Sequence, residues 1–436
     1  MEIPTAYTSR IITPAEAVRK VKSGDRIFLT GNCSVPKKLF AALLEYAPNL
    51  HDVEIAHTLV VLGSEYVAPE MAGHLRVNSL FISGNVRKAV QQGSADFTPV
   101  MLSEFPLVFK NRVLPVNVAF AHLSAPDEDG YCSFGVETGL AKSPVETADM
   151  IIAEINDQMP RPCGDTKIHI SKLDYIIPVS YPLDEYHMNS GEVSDEVVKI
   201  AHYIADLIPN GATLQLGIGE IPDAVTKYLV DKKDLGIHTE LFSDGLIDLV
   251  ETGVITGKCK TLHPGKIVAG FLLGSRRLYD WAHENPLVEI HPTEYVNDPF
   301  IIAQNSKMTA INSAIEIDLT GQVCADSIGN KLYSGVGGQV DFIYGASRSQ
   351  GGLPIIALPS TTCLRDGTLI SRITPTLKVG AGVVTSRSLV HYIITEYGAV
   401  DLYGKSIRKR AEALISIAHP MFRDELRAEA KKLNYL

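Results

Sequence analysis

No apolar run in the chain reaches the roughly 18 residues that would span a bilayer. Its opening, Met1-Glu2-Ile3-Pro4-Thr5, has neither the basic nor the apolar stretch of a secretory signal. A cytoplasmic protein with no membrane partner is the expectation. Cysteine is scarce. The six, at 33, 132, 163, 259, 324 and 363, form no CxxC pair and no finger spacing, so reduced thiols are predicted and no metal is expected. Positive charge is also short: 40 Lys and Arg against 50 Asp and Glu leave a net charge of −10. That balance argues against broad nucleic-acid binding, though not against a polyanionic ligand met by a local basic patch. Neither HExxH nor GxSxG occurs, so zincin and serine-hydrolase chemistry lack support.

What is present is an α/β chain of 436 residues, more than one hydrophobic core usually serves. A weak internal repeat organises it. GDRIFLTG (24–31) answers GATLQLG (211–217), IAHTL (55–59) answers IHTEL (237–241), and NVAFAHLSAPDEDGYCSFG (117–135) answers NSAIEIDLTGQVCADSIG (312–329). Strand-like apolar runs alternate with helix-period segments at 35–47, 195–207 and 221–231, which argues for parallel α/β units. The polar, Pro- and Gly-bearing stretch 183–195 predicts a boundary, giving domains 1–188 and 189–436. The predicted fold is two similar open α/β domains facing each other across an active-site cleft, with ligands at the carboxyl ends of the strands.

LQLGIGEIPDAVTKYLV (214–230) reads as strand, tight turn and helix. Gly217 and Gly219 permit a turn that exposes amide N–H groups, and Pro222 suits the first helical turn. Such a turn holds a phosphate, a carboxylate or a developing oxyanion. It also has the outline of a dinucleotide fingerprint, with Glu240 near the ribose-binding distance. Against that, Pro222 occupies the third glycine position and the motif lies mid-chain.

Glu240 lies in LGIHTELFSDG (235–245), where Gly236 is expected to break the preceding helix and Ile237 to Phe242 to form a strand. A glutamate among apolar strand residues needs a partner, because burying a lone carboxylate is costly. A lysine or backbone amides could supply one, as in any structural carboxylate. The spacing His238-x-Glu240 invites a zinc deaminase reading, which would need a downstream Pro-Cys-x-x-Cys that is absent.

Taken together, AEINDQMPRPCGD (153–165), LQLGIGEIPDAV (214–225), LGIHTELFSDG (235–245), NSAIEIDLTGQV (312–323), SGVGGQVDF (334–342) and ITEYG (394–398) resemble the acetyl-CoA hydrolase/transferase family across essentially the whole chain. The resemblance implies a CoA-transferase with Glu240 as nucleophile. It implies that Gly217, Ile218, Gly219, Glu220 and Ile221 contact CoA or the oxyanion, as do Gly337 and Gly338. Gln215, Asn312 and Glu396 are implied at the substrate site, Asn312 steadying the glutamate. Glu220 departs from the small residue of the nearest relatives. The implied reaction moves CoA between an acyl-CoA such as acetyl-CoA and a small carboxylate such as 4-hydroxybutyrate, butyrate or acetate, without metal, in a homodimer or homotetramer. A hydrolase using the same glutamate, and a non-catalytic nucleotide-binding module, are the alternatives. The basic run GKSIRKRAE (404–412), with Arg372, Lys378 and Arg387, is the candidate region for CoA phosphates, or a solvated helix face. Asp341, Phe342 and Tyr397 are candidates to line the acyl pocket, or simply core.

Overall fold

The computed structural model describes residues 3–187, 193–217 and 219–436. The expected boundary at 188/189 therefore lies outside the described residues. The chain forms two compact units that are not consecutive halves. The first comprises Met1–His187, Glu240–Asp244 and Val268–Val296; the second takes Met188–Thr239, Gly245–Ile267 and Asn297–Leu436.

The first unit is built on seven parallel strands: β1 (Arg26–Leu29), β2 (Val53–His57), β3 (Leu75–Ser79), β4 (Asp96–Phe97), β5 (Val118–Ser124), β6 (Met150–Asn156) and β7 (Tyr175–Val179), in the order β7-β6-β5-β1-β2-β3-β4. All seven residues of β5 are buried, as expected for a central parallel strand covered on both faces. Phe28 on β1 packs edge-on against Phe109, with ring centroids 5.6 Å apart, and Phe105 closes that cluster.

The second unit carries β8 (Thr213–Leu216), the first half of β9 (Gly236–Phe242), then, beyond β10 (Ile267–Leu272), β11 (Met308–Ser313), β12 (Leu353–Ala357), β13 (Tyr392–Thr395) and β14 (Gly398–Asp401). The order β13-β12-β11-β8-β9 is parallel throughout, with β14 added antiparallel at the edge. It repeats the order β7-β6-β5-β1-β2 of the first unit, so the internal repeat is a repeat of strand order. The first two sequence pairs fall on β1/β8 and β2/β9. The third is offset: the partner of β5 is β11, which starts at Met308 rather than Asn312, because β11 pairs with β8 as β5 pairs with β1.

Six of the longer helices are α1 (Lys37–Tyr46), α2 (Thr138–Glu146), α3 (Asp195–Leu207), α4 (Glu220–Lys227), α5 (Gln339–Arg348) and α6 (Ile407–Ser416). Ser194 caps α3 by accepting from Val197 N, and Val197, Ile200, Ala201, Ile204 and Ala205 form its buried stripe, packed against α4. Gly236 opens β9 rather than ending a helix, since α4 has already stopped at Lys227. All six cysteines are free. Among the described residues no helix is long and apolar enough to cross a membrane.

Candidate active site

In the second unit the candidate residues gather at the carboxyl ends of the parallel strands. β8 ends at Leu216 and runs into Gly217; Ile218 lies outside the described residues. Gly219 has φ +129°, a conformation open to glycine, and stands at the N-cap of α4. Glu220 opens the helix exposed and Ile221 is buried behind it, with Pro222 third in the helix. One turn on, burial pushes the Asp223 carboxyl up to about 6, opposed by Lys227.

Gln215 on β8 is fully buried and binds across to β11. Its Oε1 accepts from Asn312 Nδ2 at 3.0 Å and from Ile311 N at 3.1 Å. The next residue after Asn312 is tied to α5, because Gln339 Nε2 donates to Ser313 O at 2.8 Å while Gln339 Oε1 accepts from Thr385 at 2.9 Å. Gly337, with φ +63°, and Gly338, the N-cap residue, are thereby held at the start of α5 beside the end of β11. Glu396, past the end of β13, accepts from Ser360 N at 2.9 Å and from the Ser360 hydroxyl, and Ser360 follows β12 closely. Arg372 N donates to Ser360 O at 2.8 Å. Burial lowers the pKa of Arg372, opposed by the Glu396 carboxylate. A cavity of about 580 Å³ opens beside it, lined by Ile315, Tyr333, Leu364, Ile370, Arg372 and Lys378. Arg372 Nε is buried there without a hydrogen-bond partner among the described residues. Gln339, Ser360 and this cavity were not singled out from sequence; Gln339 lies inside the SGVGGQVDF motif, but nothing local marks its reach to Ser313.

Thr239 joins β9 to β8: its hydroxyl accepts from Leu216 N at 3.4 Å and can donate to Leu216 O at 3.2 Å. Glu240 is the next residue and counts with the first unit, half-buried in a strand otherwise buried. There its backbone is approached closely by β10. A Cβ added to Gly270 would lie 2.9 Å from Glu240 O, and one added to Gly139 of α2 would lie 2.7 Å from Gly270 O.

The zinc alternative for His238 finds no support: the ring is fully buried, edge-on to Phe342 and 3.4 Å from the Asn305 amide. Phe342 and Asp341 are core residues of α5, and Tyr397 packs on His419 and Arg423. Three residues of the basic region are held by other groups, while Arg408 and Lys409 are exposed. Arg410 is buried on α6 and donates to Thr320 O, Arg387 O and Lys405 O. Lys405 donates to Asp401 O, and Lys378 pairs with Glu316 at 3.0 Å.

Residues 1–180 match the acetyl-CoA hydrolase/transferase N-terminal domain and residues 274–430 match its C-terminal domain. The 4-hydroxybutyrate coenzyme A transferase of Clostridium kluyveri is 48% identical over 432 residues, covering 99% of this chain and 100% of that protein. Among solved structures, RipA from Yersinia pestis superposes with a TM-score of 0.91 at 35% identity over 100% of both chains. A 4-hydroxybutyrate CoA-transferase from Porphyromonas gingivalis gives 0.83 at 39% identity, over 98% of this chain and 99% of that one. The chain belongs to the acetyl-CoA hydrolase/transferase family.

Proposed function

We propose that this protein transfers CoA between an acyl-CoA and a small carboxylate by way of a glutamyl-CoA thioester on Glu240. The observation that carries the reading is positional. Within a chain of this family, the half-buried Glu240 directly follows the residue that hydrogen-bonds Leu216, the last position of β8, which leads into Gly217.

A carboxylate needs no base to act as a nucleophile. A Glu240 oxygen attacks the thioester carbonyl, the C–S bond breaks, and CoA leaves as thiolate from a mixed anhydride. The thiolate then attacks the glutamyl carbonyl, releasing the first acid and leaving the glutamyl-CoA thioester. A second carboxylate reverses these steps and departs as its own CoA ester. Each addition forms an oxyanion. The amides of the turn at Gly217 and Gly219 and of Gly338 are the proposed donors, and losing one such donor typically costs about 3–4 kcal/mol. Asn312, fixed by Gln215, is proposed to steady the glutamate, with Glu396 bordering the site. The cavity beside Arg372 and Lys378 is of a size for the nucleotide end of CoA, whose binding energy can be spent on positioning the reacting atoms. Acetate, butyrate and 4-hydroxybutyrate are the proposed acids, the last named for two of the relatives above. A cytoplasmic homodimer or homotetramer belongs to the same proposal.

Incubation with acetyl-CoA followed by borohydride should reduce Glu240 alone, detected by peptide mass. Glu240→Ala should lose turnover by at least about a thousandfold with an unchanged fold. Free CoA released equally fast without an acceptor acid would instead assign a hydrolase, and retained activity in Glu240→Ala would refute the nucleophile.

A further inference from the structure

The first unit has a buried polar pair that the transfer chemistry does not use. The loop Thr30–Ser34 follows β1 as Gly217 follows β8, so it holds the equivalent place at a strand's carboxyl end. Asn32 in this loop has φ +49°, an uncommon conformation for any residue but glycine, and is fully buried. Its backbone is pinned on both sides, donating to Leu59 O at 2.6 Å and accepting from Val61 N at 3.1 Å. Its side-chain amide donates to Glu137 Oε2, on a residue 1% exposed and immediately before α2. The other oxygens of the pair, Asn32 Oδ1 and Glu137 Oε1, are buried with no hydrogen-bond partner among the described residues, as is Ser34 Oγ. Buried polar atoms left this way are rare and ask for a missing partner.

The pair is also tied to the reacting strand. Two residues beyond Glu137, Gly139 lies against the backbone of Gly270, which lies against the backbone of Glu240. All five residues belong to the first unit. We propose that Asn32 and Glu137 recognise a hydroxyl group on the acid substrate, and so select a short hydroxy acid over its plain alkyl counterpart.

A hydroxyl fits because it both donates and accepts, matching orphan oxygens of an amide and a carboxyl. A second carboxylate does not fit: burial and the Asn32 amide are what act on Glu137, and no cation contributes. Burial holds the Glu137 carboxyl protonated up to about 8, so at neutral pH it offers a donor as well as an acceptor. The neighbouring Cys33 thiol is pushed up to about 12 by burial and adds no charge.

This inference rests on the transferase reading. The test uses the full-length enzyme with acetyl-CoA as donor and 4-hydroxybutyrate or butyrate as acceptor, scored by mass spectrometry of the CoA esters. The wild type should favour 4-hydroxybutyrate in kcat/KM. In Glu137→Met and Asn32→Leu the ratio of the two kcat/KM values should fall roughly 100-fold, whatever factor both acids lose in common. Glu137→Gln, which keeps a polar amide, should restore much of the preference. Equal kcat/KM in the wild type, which needs no variant to fold, would overturn the inference alone, as would an unchanged ratio in both variants. Transfer to no acid at all would overturn the transferase reading and this inference with it.

Discussion

Gln215 and Asn312, 97 residues apart in sequence, are joined side chain to side chain: Gln215 Oε1 accepts both the Asn312 side-chain amide and the Ile311 backbone N–H, and Gln215 Nε2 donates to Asn312 Oδ1 at 3.5 Å. The pair locks adjacent parallel strands at the end where the site is proposed. Gln215→Leu strands a buried backbone donor and frees Asn312, which should cost about 1–3 kcal/mol of stability. Turnover should fall further than the loss of folded protein explains. Thermal melts and kcat on the same preparation check this, and a melting temperature within 1 °C or so of wild type would speak against it.

Gly270 has no room for a side chain, since a Cβ would stand 2.9 Å from Glu240 O. Gly270→Ala should push the two strands apart, costing about 1–3 kcal/mol as an overpacked site. The displacement falls on the proposed nucleophile, so kcat should drop by about 100-fold while KM for the acyl-CoA moves little. Steady-state kinetics read out the split; equal changes in both parameters would argue that Glu240 is unaffected.

Two buried histidines make stability depend on pH on the acid side. His57 is held near 4 by burial, its Nδ1–H donating to Thr58 O while Nε2 faces the Tyr66 hydroxyl at 3.1 Å, and burial holds His122 near 3. Both are neutral in the native state where the unfolded chain, with an ordinary value near 6.5, takes up protons. The unfolded state therefore binds more protons below about 6.5, and stability falls as pH drops from there towards 4. Melting temperature followed against pH should decline across that window, less steeply in His122→Asn. A flat profile would contradict the assignment.

Arg410 holds carbonyls of three separate segments, at Thr320, Arg387 and Lys405. Arg410→Met should cost about 1.5–3 kcal/mol for each charged hydrogen bond lost, yet leave KM for acetyl-CoA within about twofold. A large rise in KM at unchanged stability would return the basic run to the phosphate site.

Local signals carried the strand β8 and the helix α4, the strand around Glu240 and the order of the repeat, because apolar period and glycine placement are written within a few residues of each element. The offset of the third repeat pair arose because one buried apolar run resembles the same run slid by four residues; only pairing with β8 fixes the register. The contacts that bring Gln215 to Asn312, Glu396 to Ser360 and Asn32 to Glu137 span 97, 36 and 105 residues. No window of sequence holds both partners, so Gln215, Asn312 and Glu396 were named without the pairing of Gln215 with Asn312, and Ser360 was not named at all. Charge pattern alone did not separate Arg410, which points inward to carbonyls, from its exposed neighbours Arg408 and Lys409.

The division of the chain between Thr239 and Glu240, in the middle of one strand, bears on how the molecule can be made and taken apart. A fragment ending at residue 187 lacks two segments of its own unit, translated more than fifty residues later. Assembly of that unit must wait for the ribosome to deliver them, and severed halves supplied together would have to share β9. Splitting the gene at the apparent linker should therefore yield insoluble pieces rather than two working modules.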